Sequence, residues 1–236
     1  MNLFNRKEWE DKIKDPCWYD AVPNILDEMA ALRLNDFEQS LKLKNAVYTF
    51  FEEKLKEGEV ALGANGKKWN QERKPIDTIV IHHTKSSERL SKERLSAIEL
   101  IRLYAPTYAK RGKKEPIYSD HNREGKQVFY PYHWIIRSNG EAERLLLDHE
   151  IGWHAGNWDI NCRSVAICID DNHEDSMPDK ANLRSIARLI REQYPLVSKD
   201  RIFGHREINP KTTCPSNYFL DAPEQRGWKN ALLEMI

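Results

Sequence analysis

Apolar and polar positions change their spacing along this chain, and the changes mark its elements. Between residues 20 and 57, Phe37, Leu41, Tyr48, Phe51 and Leu55 recur at steps of three, four or seven with charges between them, which predicts helix with one apolar face. The stretch EVALGANGKKWNQERKP at 59–75 breaks that period with Gly, Asn, Lys and Pro, reads as a linker, and places a boundary near residue 70. Beyond Pro75 the pattern is different. DTIVIHHT (77–84) and SVAICID (164–170) are short β-branched runs of the kind that form buried strands. YHWIIRSNGEAERLLL (132–147) reads as a hairpin turning at Asn139-Gly140, and RIFG (201–204) as a further short strand. LSAIELIRLYA (95–105), DKANLRSIARLIREQYP (179–195) and QRGWKNALLEMI (225–236) read as helices, the second stopped at Pro195. Residues 106–130 are polar without a clear period, and loops of that length are often functional. Strands and helices alternate without regular βαβ spacing. The expected architecture is α/β, a central mixed β-sheet flanked by helices, with a cleft at the strand ends and an N-terminal helical extension over 1–70.

Composition narrows the function classes. The 236 residues are 40% hydrophobic, enough to bury a core. Lys+Arg and Asp+Glu each number 37, so no basic footprint for nucleic acid is present. No apolar run approaches the roughly 20 residues of a membrane span, and the start MNLFNRKEWEDKIKD has no apolar core of a secretory signal. These features predict a chain made in the cytoplasm, reaching a cell wall only by lysis or another export route. Cys17, Cys162, Cys168 and Cys214 show no CxxC spacing, which argues against a disulfide framework. The pattern specifies no oligomeric state.

The candidate chemistry is concentrated in FGHREINPKTTCPS (203–216), where His205 and Cys214 share a loop stiffened by Pro210 and Pro215. A catalytic zinc site takes three protein ligands from His, Cys and carboxylate and leaves a fourth position open. Nine residues between His205 and Cys214 suit a loop that leaves a strand and folds back over its end. A third ligand would come from another strand end. His82 is the natural candidate there; His82 and His83 point to opposite faces of one strand, so only one of them can face a cleft. A Cys214–His205 pair in a cysteine hydrolase is the competing reading, and Pro215 and His82 weigh against it.

Four segments in order, IVIHHT, YHWIIRSNG, GWHAGNWDINCRSVAI and GHREINPKTTCPS, resemble the zinc-dependent N-acetylmuramoyl-L-alanine amidases of the type 2 superfamily, which includes phage lysozyme-type amidases and peptidoglycan recognition proteins. The resemblance covers about 75–220 and leaves the first 70 residues outside it. It implies a Zn2+ ion held by His82, His205 and Cys214. It implies hydrolysis of the amide between N-acetylmuramic acid and L-alanine, in peptidoglycan or a muropeptide. Tyr132 matches a tyrosine that many members carry beside the metal. Thr212 matches a position held by Lys or Thr, with Lys211 offset by one and competing for the role. Where other members carry a catalytic Glu, this chain has Cys168, which aligns it with the tyrosine-bearing branch. His154 matches a histidine at the cleft rim. Trp153, Asn157, Arg163 and His83 are further candidates for substrate contact. The alternative, a non-catalytic peptidoglycan-binding module, would ordinarily have lost the three ligands that this chain retains.

Overall fold

The structure is a computed structural model that describes residues 4–112 and 114–236. Among these residues the strands are β1 (Thr78–His83), β2 (Asn122–Arg123), β3 (Lys126–Gln127), β4 (Trp134–Ile136), β5 (Ala142–Arg144), β6 (Ser164–Ile169) and β7 (Ile202–Gly204). The helices are α1 (Arg6–Lys12), α2 (Val22–Asn35), α3 (Phe37–Glu57), α4 (Lys92–Glu99), α5 (Ala105–Arg111), α6 (Trp158–Arg163), α7 (Lys180–Gln193), α8 (His205–Ile208) and α9 (Trp228–Met235). The chain forms two compact units, one of residues 1–68 and 91–129, the other of 69–90 and 130–236.

In the first unit the helical stretch of 20–57 is the pair α2 and α3. The break is at Asp36, whose carboxylate accepts the Gln39 N–H at 3.0 Å and starts α3. The buried apolar residues of α3 are Leu43, Val47, Tyr48, Phe50 and Phe51, while Phe37 and Leu41 are 66% and 43% exposed. Of the expected stripe Tyr48 and Phe51 are thus buried and the first-turn pair is not; Leu43, Val47 and Phe50 widen the buried face, where aromatic rings interlock. Phe50 and Phe51 meet edge to face at 5.2 Å, and Trp18 lies 5.1 Å from Phe51. The polar segment 106–130 also carries structure. A π-turn at Leu100–Tyr104 leads into α5, and a tight hairpin joins β2 to β3 through Glu124 and Gly125, both at positive φ. Residues 91–129 group with the N-terminal helices, whereas the sequence suggested a single boundary near 70.

The second unit holds a five-stranded sheet in the order β5-β4-β6-β1-β7. Only β4 and β5 pair antiparallel; the β4–β6, β6–β1 and β1–β7 ladders are parallel, so the sheet is mixed. Every residue of β1 and β6 is buried, as a central parallel strand covered on both faces requires. Ile79, Ile81, Val165, Ile167 and Ile169 make one face, packed on Leu183, Ile186 and Ile190 of α7 and on Trp228 and Leu232 of α9.

The β4–β5 hairpin is locked from below by an ion network. Arg137 is 2% exposed and donates to both Glu143 carboxylate oxygens at 2.8 Å, to the Leu90 carbonyl at 2.7 Å, and to Asp170. These partners, Glu143 and Asp170 above all, hold the guanidinium pKa above its ordinary value despite burial. Removing the guanidinium strands the Asp170 carboxylate in a buried site. Arg137→Ala is therefore expected to lower stability by about 3–5 kcal/mol in denaturant unfolding; a loss below about 1 kcal/mol, the value of an exposed pair, would refute this account.

Candidate metal centre

The site is built where parallel strands end together. Ile81 pairs with Gly204 across β1 and β7, so the next residues, His82 and His205, leave the two strands side by side. Gly204 has no room for a side chain, since a Cβ there would lie 2.5 Å from the Phe219 ring and 2.7 Å from Pro215. After His205 the chain makes the short helix α8, turns at Asn209, and returns. The Asn209 side chain accepts the Lys211 N–H at 3.1 Å, and the Arg206 N–H donates to the Cys214 carbonyl at 2.7 Å, closing the loop. Arg206 Nη1 also reaches the Ser216 carbonyl at 2.8 Å. Cys214 is thereby returned to the strand ends.

One donor atom each of His82, His205 and Cys214 lies within 4.8 Å of the others. Cys214 Sγ is 3.7 Å from His82 Nδ1, and the two imidazole rings are 4.7 Å apart. Burial pushes the His82 pKa well below its ordinary value, and the neighbouring His205, His154 and His83 push the same way. Burial lowers His205 as well, opposed by a hydrogen bond to the Ala155 carbonyl. Both imidazoles are therefore neutral, as ligands must be. His205 Nε2 is buried with no hydrogen-bond partner. Burial raises the Cys214 thiol to about 12, against the opposing effect of the His83 backbone N–H. An unpartnered imidazole nitrogen, a second neutral imidazole and a buried thiol that needs a cation to ionise fit a tetrahedral zinc site with one open position.

Tyr132 joins the cluster, half-buried, with its ring 5.0 Å from that of His82. Thr212 is half-buried and its Oγ1 accepts the Cys214 N–H at 3.2 Å, while Lys211 is exposed. Trp153 is half-buried and meets Trp69 at 5.3 Å and Trp158 at 5.9 Å, edge to face.

The remaining expected contact residues take other places. His83 turns to the opposite face, where its Nδ1 accepts the His173 N–H at 3.0 Å, and burial drops its pKa to about 4. His154 is not at a rim: it is 6% exposed and both ring nitrogens are engaged, Nδ1 with His82 Nε2 at 3.0 Å and Nε2 with Ser164 Oγ at 3.1 Å. Asn157 caps α6, accepting the Ile160 N–H at 3.2 Å. Arg163 pairs with Asp77 at the start of β1, the end of the strand away from His82. Three residues escaped the sequence reading. Asn161 accepts the N–H groups of His154 and Ala155 at 3.2 and 2.8 Å. Ser164 supports His154. Arg73 gathers the carbonyls of Asn161, Cys162 and Ser164 at the end of α6, at 3.0, 3.3 and 2.9 Å. The available signal was polarity out of place: Ser164 opens an otherwise apolar strand, and Asn161 interrupts the helix that leads into it.

The family model for N-acetylmuramoyl-L-alanine amidase matches residues 72–217, more than half of the chain. The 1,6-anhydro-N-acetylmuramyl-L-alanine amidase AmpD of Haemophilus influenzae is 28% identical over 117 residues, 46% of this chain and 64% of the relative; the match thus spans just under two thirds of that protein. Among solved structures, the endolysin amidase LysCS of Clostridium intestinale is 20% identical, covering 65% of this chain and 82% of that one, with a TM-score of 0.43. Drosophila peptidoglycan recognition protein SD is 21% identical, covering 64% and 85%, with a TM-score of 0.39. The family match extends from Glu72 to Asn217 and so takes in His82, Tyr132, His205 and Cys214, and the chain belongs to the N-acetylmuramoyl-L-alanine amidase family.

Proposed function

We propose that this chain is a zinc-dependent amidase that cleaves the bond between the lactyl group of N-acetylmuramic acid and L-alanine, in peptidoglycan or in a muropeptide. The observation that carries the reading is the convergence of His82, His205 and Cys214 donor atoms inside the region matched by the family. The name of the Haemophilus relative, an amidase of an anhydro-muramyl-L-alanine compound, supports the substrate class.

His82 Nδ1, His205 Nε2 and Cys214 Sγ would hold the zinc, which when bound supplies a Lewis acid and lowers the pKa of water to roughly 7. The chain's own task is to stabilise the charge that gathers on the carbonyl oxygen as the amide is attacked. Tyr132, beside His82, presents a hydroxyl that donates to this oxygen, and Thr212 or Lys211 on the return loop supplies the second donor. The same hydroxyl would relay the proton shed by the attacking water to the departing L-alanine amine as the C–N bond breaks. Trp153, half-buried beside two other indoles, offers an apolar surface for the sugar or stem peptide.

His82→Ala, His205→Ala and Cys214→Ala should each abolish release of free stem peptide from muropeptide, followed by chromatography and mass spectrometry. Zinc, measured by elemental analysis of the purified protein, should fall from one per chain in each. A variant that retains both zinc and activity removes that residue from the site, and a wild-type protein that binds muropeptide without zinc or turnover is a binding module.

Tyr132→Phe should keep its zinc and lose roughly 10²–10³ in kcat, the cost of one lost oxyanion donor. KM should hardly move, because the lost interaction exists only in the transition state. Thr212→Ala and Lys211→Ala run beside it identify the second donor as whichever loses more. Wild-type turnover in Tyr132→Phe would exclude the hydroxyl from the chemistry.

A further inference from the structure

The two histidines proposed as ligands do not present the same nitrogen. His82 faces Cys214 with Nδ1, leaving Nε2 against His154 at 3.0 Å. His205 Nε2 is buried and unpartnered, and the Ala155 backbone raises the ring's pKa as an accepting carbonyl does, which we read as Nδ1–H facing that carbonyl. The groups behind the two rings are thus consecutive residues, His154 and Ala155, on one loop. A single side chain holds both: Asn161 Oδ1 accepts the backbone N–H of His154 at 3.2 Å and of Ala155 at 2.8 Å.

We propose that Asn161 and His154 are positioning residues that set the two ligand histidines in opposite tautomers. The inference rests on the metal reading of His82, His205 and Cys214. For His82 Nδ1 to offer a lone pair, its proton must sit on Nε2 and be donated to His154 Nδ1. His154 then carries its own proton on Nε2 and donates it to Ser164 Oγ at 3.1 Å. Reversing the direction of this chain would put a proton on His82 Nδ1 and block the ligand. The Ala155 carbonyl has no proton to give, so it can only accept, and it directs the His205 lone pair to Nε2. Partners behind ligating imidazoles fix ring orientation and tautomer; here both partners hang from one amide oxygen.

The surrounding structure keeps that oxygen in place. Asn161 is 6% exposed on α6, whose first turn is capped by Asn157 and whose last carbonyls are held by Arg73. The loop is pressed against its neighbours, since a Cβ on Gly152 would lie 2.2 Å from the Pro131 carbonyl oxygen. Gly156 closes the loop at φ +65°, a conformation that suits glycine.

The test uses the full chain, with 15N-labelled histidine and bound zinc. Long-range proton–nitrogen correlation spectra should show His82 metallated at Nδ1 and protonated at Nε2, and His205 the reverse. Asn161→Leu and His154→Phe should each weaken zinc binding by about 10–100-fold in chelator competition. Asn161→Asp keeps an acceptor oxygen and should restore affinity. Ser164→Ala is the mildest change, removes only the end of the chain, and should weaken zinc in the same direction even if the bulkier variants fail to fold. Wild-type zinc affinity in folded Ser164→Ala and Asn161→Leu, or His82 metallated at Nε2, overturns the inference while leaving the metal reading intact. A wild-type chain that takes up no zinc at all overturns both.

Discussion

The parallel pairing of β1 with β7 is the constraint on which the site depends. Because Ile81 stands opposite Gly204, the two strands end level, and the next residue on each is a histidine. Two donors that are 123 positions apart in the chain are thereby adjacent before any loop is considered. The third needs only a short return, and the backbone bond from Arg206 to Cys214 closes it. A shift of one residue in this register would carry His205 to the opposite face and separate the donors. The bare Cα at Gly204 lets Phe219 and Pro215 pack against the strand end and secures that register.

Burying such a cluster is unfavourable in itself. Two imidazoles and a thiol removed from water lose hydration, and the desolvated charged forms are disfavoured, which keeps both imidazoles neutral and the thiol protonated. The structure offsets this on His82 with the 3.0 Å bond between Nε2 and His154, and on His205 with the Ala155 backbone, which raises the ring's pKa against burial. His133, one residue beyond Tyr132, follows the same rule, with Nδ1 accepting the Ala166 N–H at 3.1 Å and Nε2 meeting the Glu150 carbonyl at 3.0 Å. With both nitrogens used, His133 is structural, and it fixes the backbone from which Tyr132 projects. What stays unsatisfied, the His205 Nε2, is the atom that a metal would claim.

The candidate donors and the groups that hold them are different residues. The resemblance places His154 at the rim of a cleft. In the fold it is a buried link between His82 and the strand serine Ser164. Arg163 and His83 move the same way, from candidate contacts to an ion pair at the far end of β1 and a packed rim histidine. Trp153 keeps a partly open surface beside the neighbouring indoles.

The sequence by itself determined the β-branched runs of β1 and β6, the hairpin at Asn139-Gly140, the amphipathic α7, and the four ordered segments that carry His82, Tyr132, His205 and Cys214. These are legible because strand and helix period, turn chemistry and ligand type are local properties of the chain. The exposure of Phe37 and Leu41 on α3, the placement of residues 91–129 with the N-terminal helices, and the roles of Asn161, Ser164 and Arg73 follow only from the tertiary structure. Which face of a helix is buried depends on what packs against it. Whether a polar side chain faces water or a buried ring nitrogen depends on residues distant in the chain, and spacing along the chain carries no record of that distance in space.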